Sequence, residues 1–318
     1  MVNFRYHLVS LIAVFAALAI GVVLGAGPLQ TRLGSALSSS TGSASGEDLS
    51  AQLAAAQQDV AAQDKLVEDL AARVLPGTLE GVSVATVALP GADPADVTAV
   101  GKDLTQAGAQ LVGAVTLTSN WDAQSMAQYR ETLANPLASH LASSAPSDAT
   151  ADAVIGYALV EVLSSTGAEQ DLVSDILTDA STPILQIDQD PEGRAQAVVA
   201  VGPRSDSAST PSGQSASPTS EEQSGGIAAP SVQAWAGLGR ALGGAPKGGV
   251  LLGDASAPDS LLSQVRTQGV PVTTVDPVGT RMGSLSAVLA LRNATAEERA
   301  FGVGEGASAV LPPIPGVD

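Results

Sequence analysis

The sequence predicts an α/β protein: an N-terminal transmembrane helix, a short coiled coil, and then a three-layer domain on a mostly parallel sheet. Three observations predict it. From Leu8 to Thr31 there is no Asp, Glu, Lys or Arg. Between residues 47 and 76 apolar side chains recur at alternating spacings of four and three. From Val82 onward short apolar runs alternate with helical patterns bounded by Asp, Gly and Pro, which is the rhythm of βαβ units.

The first segment, residues 1–32, reads as a membrane anchor. Leu8–Leu24 is apolar apart from Ser10 and Gly21, and at ~1.5 Å per residue Phe4–Ala26 reaches about 34 Å, enough to cross a hydrocarbon core. A cleaved signal peptide is the competing reading, with Arg5 before the apolar run and Gly25-Ala26-Gly27 as small residues where a peptidase cuts. The run is longer than a signal h-region of about 15 residues, which favours a retained anchor. Arg5 before the span and Arg32 after it place the N-terminus in the cytoplasm and the α/β domain outside. Ala17, Gly21 and Gly25 fall four apart, a spacing that lets two helix backbones approach closely.

Residues 33–46 form a flexible, small-residue linker. Residues 47–76 come next as a stalk, with Leu49, Leu53, Ala56, Val60, Gln63, Val67, Leu70 and Val74 on a heptad seam that Pro76-Gly77 ends. A coiled coil would make the protein a homodimer or a higher homo-oligomer. The alternative is a lone amphipathic helix packed on the next domain.

Residues 78–318 read as one α/β domain. "VSVATVAL" is a buried strand, Asp93-Pro94 caps and starts a helix, Gly108 stops it, and "AQLVGAVTL" is the next strand. Helical patterns come at Asp122–Leu133, Asp152–Leu163 and Glu169–Leu177, then strands "PILQID" and "QAVVAVG". Residues 205–226 are a Ser-rich insertion with only two alanines to bury, a composition that does not build a core. Helix Ser231–Leu242, strand "GVLLGD", helix Pro258–Thr267, strand "VPVTTVD", helix Met282–Asn293 and a last strand near "ASAVLP" complete a sheet of about seven strands.

Composition bounds the chemistry. The chain has 318 residues and no cysteine, so disulfides, thiolate metal sites and cysteine nucleophiles are excluded. The first 32 residues hold two arginines and no acid, leaving 12 basic against 32 acidic side chains on the rest. That surface repels a phosphate backbone, so nucleic acid is not a partner. The only histidine after the anchor is His140, in a segment that reads as a loop, and a hydrolase triad has no imidazole to use. Gly302–Ala307, "GVGEGA", is not GxGxxG and opens no helix, and reads as a turn before the last strand. Asp188–Gly193 places carboxylates like a calcium loop but has Val199 where a bidentate Glu is required. Asp171, Asp175 and Asp179 read as a solvated helix face. Three strands end in aspartate, at Asp188, Asp254 and Asp276; parallel neighbours would bring these side chains to one edge as candidate metal ligands, whereas capping would scatter them.

Several stretches carry a family resemblance: "FRYHLVSLIAVFAALAIGVVLG", "GVSVATVALPGADPADVTAVGKDLTQAGAQLVGAVTLT", "VDPVGTRMGSLSAVLALRNA" and "FGVGEGA". Together they resemble the actinobacterial copper transport protein family, also called MctB, over nearly the whole chain outside the Ser-rich insertion. The resemblance implies a role in copper export or homeostasis in the cell envelope, in a family often described as outer-membrane channels. It carries over no metal-binding motif. Copper(I) favours thioether, thiolate and imidazole ligands, and the chain offers His7, His140, Met1, Met126 and Met282, scattered through the sequence. Copper is thus expected as a transported ion with no resident cofactor. The reading is a membrane-held envelope protein without enzymatic activity, tied by resemblance to copper homeostasis. A non-catalytic scaffold that binds an envelope protein, or a metal-dependent enzyme using the three aspartates, stand as alternatives.

Overall fold

The computed structural model describes residues 45–141, 145–205 and 229–314. The anchor with Ala17, Gly21 and Gly25, the linker through residue 44, and the Ser-rich insertion after residue 205 lie outside the described residues. Among the described residues no helix is long and apolar enough to cross a membrane.

The chain divides into two units, one ending at Gln63 and one beginning at Asp64. Helix α1 runs Ser45–Val74. Within the first unit it leaves Leu53 and Val60 exposed, at 60% and 57%. Within the second unit its last turns bury Val67 and Ala71, with Leu75 and Leu79 just beyond, and Leu70 and Val74 pack beside them. The seam residues of the C-terminal half therefore rest on the α/β domain itself.

That domain is a seven-stranded sheet of β1 (Ser83–Ala88), β2 (Gln110–Leu117), β3 (Leu185–Gln189), β4 (Ala197–Val201), β5 (Gly249–Leu252), β6 (Thr273–Val275) and β7 (Arg299–Phe301), in the order β3-β2-β1-β4-β5-β6-β7. Every neighbouring pair is parallel except β2 and β3. The central strands are apolar on both sides, as strands covered twice must be: Ala197, Val199 and Val201 of β4 join one core and Val198 and Ala200 the other.

One face is covered by the end of α1, by α2 (Pro94–Gln106) and by a late helix, Arg281–Leu291. The other is covered by helices placed after β2 and β4. After β2 come α3 (Ser119–Asp122), a 3-10 turn at Gln124–Met126, α4 (Ala127–His140), α5 (Ala151–Ser164) and α6 (Ala168–Leu177). After β4 come α7 (Val232–Gly243) and, beyond β5, α8 (Leu261–Thr267). The Arg281–Leu291 helix is α9. β4-α7-β5, β5-α8-β6 and β6-α9-β7 all step in the same direction across the sheet, yet α9 lies on the opposite face from α7 and α8. Its crossover therefore has the opposite hand, and since right-handed crossovers are nearly universal, α9 forms the uncommon left-handed one.

Three features differ from the sequence reading. Helix α4 begins later than predicted and runs through Pro136 to His140, because Arg130, Ala134, Leu137 and Leu141 form one buried stripe, and that packing offsets a proline cost of about 3 kcal/mol. The seventh strand is Arg299–Phe301; the "ASAVLP" segment makes a single bridge, from Ala309 to Phe301. Strand β3 is antiparallel to β2, so Asp188 does not end a parallel strand.

Candidate functional site

The connections leave β1 and β4 toward opposite edges of the sheet, so the crevice between the carboxyl ends of these strands is where an open α/β sheet places a ligand. Here charge pairing lines the crevice, around a space of about 230 Å³. Arg204, just past β4, donates to both oxygens of Asp96 at 2.8 and 2.7 Å and lies 3.6 Å from Asp93. Asp93 caps α2 by accepting the Ala95 N–H at 2.9 Å. The guanidinium passes over Gly279, whose φ is +82° and whose position admits no Cβ without colliding with Arg204. The two carboxylates at the start of α2 oppose a phosphate at that helix terminus.

The three strand-end aspartates occupy different surroundings. Asp188 sits on the edge strand β3, with three strands between it and β5, and accepts the Thr116 hydroxyl at 2.6 Å. Asp254, after β5, accepts the Ser256 N–H at 3.3 Å and the Ser256 and Ser260 hydroxyls at 3.0 and 2.9 Å. Asp276, after β6, is buried; one oxygen accepts the N–H groups of Val303 and Gly304 at 3.0 and 2.7 Å, and the other pairs with Arg266 at 2.7 Å. Arg266 also donates to Thr274 and to the carbonyls of Phe301 and Glu305. The "FGVGEGA" stretch is thus a strap around a buried ion pair: Gly302, at φ +135°, leaves no room for a Cβ beside the Asp276 carboxylate. Among the described residues no three His, Asp or Glu side chains lie close enough to hold a metal ion. Met126, His140 and Met282 sit half-buried on three separate elements.

Beside the switch point, Arg204, Trp235, Asp254, Ser260, Leu262 and Gln264 are among the residues lining a cleft of about 520 Å³. Behind its wall, Asp122 is buried and accepts the Trp235 indole N–H at 3.4 Å. The Trp121 and Trp235 rings lie 6.2 Å apart. Burial pushes the Asp122 carboxyl up to about 6, against the smaller opposing pulls of the Trp235 bond and the Arg130 charge. Elsewhere, Arg281 meets Asp103 at 2.5 Å, with the Ser284 hydroxyl on the same carboxylate. Sequence reasoning missed Asp96, Asp103, Asp122, Arg130, Arg204, Arg266 and Arg281. For those on helices the one local signal was an Asp or Arg standing at an otherwise apolar position, whereas Arg204 lies in the loop past β4 and carries no such signal; the partner lies as many as 181 residues away in the chain.

The family described as "Copper transport outer membrane protein, MctB" matches residues 1–312. The chain belongs to this family. Among curated proteins it is similar to "Copper transporter MctB" of Mycobacterium tuberculosis and of Mycobacterium bovis, 34% identical over 137 residues, which is 42% of this chain and 44% of each relative. The protein of the same name from Mycobacterium leprae is 34% identical over 141 residues, 42% of this chain and 43% of the relative. The chain therefore spans less than half the length of the curated relatives it matches. The family description associates the chain with a membrane.

Proposed function

We propose that this protein serves copper export or homeostasis as a membrane-held envelope protein whose α/β domain recognises a protein partner and performs no catalysis. The observation that carries this reading is the family match through residue 312, with relatives named as copper transporters. The arrangement of the carboxyl edge supports a non-catalytic role: Asp96, Asp254 and Asp276 each have their oxygens engaged by groups of the same chain. Copper is the cargo of the process. With no cysteine, two histidines and three methionines, the chain holds too few soft donors for copper(I), so the ion is handled by the partner. Phe4–Ala26 supplies the anchor, with the N-terminus in the cytoplasm and the α/β domain outside, and two copies associate through the exposed stripe of α1. A deletion strain tests the reading. Its cellular copper should rise and its copper tolerance fall, with both restored by the wild-type gene and by an Asp254→Asn variant. Unchanged copper content and tolerance would remove copper from the function and leave an envelope scaffold.

A further inference from the structure

Asp122 ends α3 inside the domain at 6% exposure. Its carboxylate takes the Trp235 indole N–H from α7 at 3.4 Å, a long bond for a buried ion. The charged side chain acting on it is Arg130 of α4, and that guanidinium is already engaged, at 2.6 Å by Asp152 of α5 and at 2.7 Å by the Ala123 carbonyl. The backbone around Asp122 is sewn to the start of α7. Its carbonyl accepts the Ser231 N–H at 2.6 Å, the Gln124 N–H bonds the Ala229 carbonyl at 2.9 Å, and Ala123 bridges Pro230. Gln124, Ala229, Pro230 and Trp235 form one wall of the 520 Å³ cleft.

We infer that Asp122 is a proton-operated latch on this cleft: as the neutral acid it stays under Trp235 and holds the α3–α7 contact closed, and as the carboxylate it is drawn toward water and loosens that wall. The physical reason is that a buried ion without a dedicated counter-charge is costly, whereas a buried neutral acid needs only a hydrogen bond. The upward displacement of its titration to about 6 places the change of charge where an exposed aspartate is already fully ionised. Acrylamide quenching of the two tryptophans, measured on the full chain in detergent micelles from about pH 5 to about pH 8, tests this. Quenching should rise with pH along a curve whose midpoint lies near 6, and Asp122→Asn should stay weakly quenched throughout. A flat wild-type curve overturns the proposal, as does an Asp122→Asn curve that titrates like the wild type. Should circular dichroism show that Asp122→Asn is unfolded, the infrared carboxyl band of the wild type decides. Loss of the protonated band with the same midpoint as the quenching supports the latch, and a different midpoint or no such band overturns it.

Discussion

Asp276 and Asp122 are both buried acids, and the difference between them is what the chain places around each. Asp276 has a guanidinium 2.7 Å from one oxygen and two backbone N–H groups on the other, so its charge has a dedicated counter-charge beside it. Asp122 has an indole at 3.4 Å and a cation committed elsewhere. Its folded-state value, about 6 against an ordinary 3.8, is raised. Its contribution to stability is therefore full below about 3.8 and is lost as pH rises through about 6. The whole change is on the order of 3 kcal/mol, of which about 1 kcal/mol falls between roughly pH 5 and pH 8. Urea unfolding of wild type and Asp122→Asn across that range should show the wild type losing about that much relative to the variant. Parallel pH profiles for the two proteins would contradict the assignment.

Helix α1 carries one apolar stripe with two fates. Val67 and Ala71 are buried by the α/β domain, while Leu53 and Val60 are exposed. A coil that used the whole predicted seam from Leu49 to Val74 would have to pull Val67 out of its core, at a cost of roughly 1.5–3 kcal/mol per large side chain. Self-association is therefore expected to stop near Gln63. The chain has no cysteine of its own, so single cysteines report cleanly. Oxidation should cross-link Leu53→Cys and Val60→Cys into dimers and leave Val67→Cys monomeric. Equal cross-linking at all three positions would mean that the seam runs the full length, and none at any would remove the coil.

At the scale of the whole α/β domain, the described arginines Arg130, Arg204, Arg266 and Arg281 each secure an acid of another element. The soft donors among the described residues, Met126, His140 and Met282, sit on three separate elements, so a competition titration of the full chain should give weak, non-stoichiometric copper(I) binding. Tight one-to-one binding would show that a ligand set had been overlooked. The order of helices and strands was legible because apolar period and capping are local properties: Asp93-Pro94 starts α2 and Gly108 ends it wherever the chain goes next. The family was legible for the same reason, through contiguous stretches. Strand β7 escaped because three residues, Arg299–Phe301, are too short to show alternation. The fate of the aspartates escaped because strand direction and order are set by long-range packing. Nothing near Asp188 announces that β3 turns antiparallel, and nothing near Asp122 names Trp235, 113 residues on. By itself the sequence determined most helices and strands of the α/β domain, the acidic balance and the absence of thiolates. Only the tertiary structure decided which acids are compensated and which have their titration pushed upward by burial, because the cost of a buried charge depends on partners that the chain brings together only by folding.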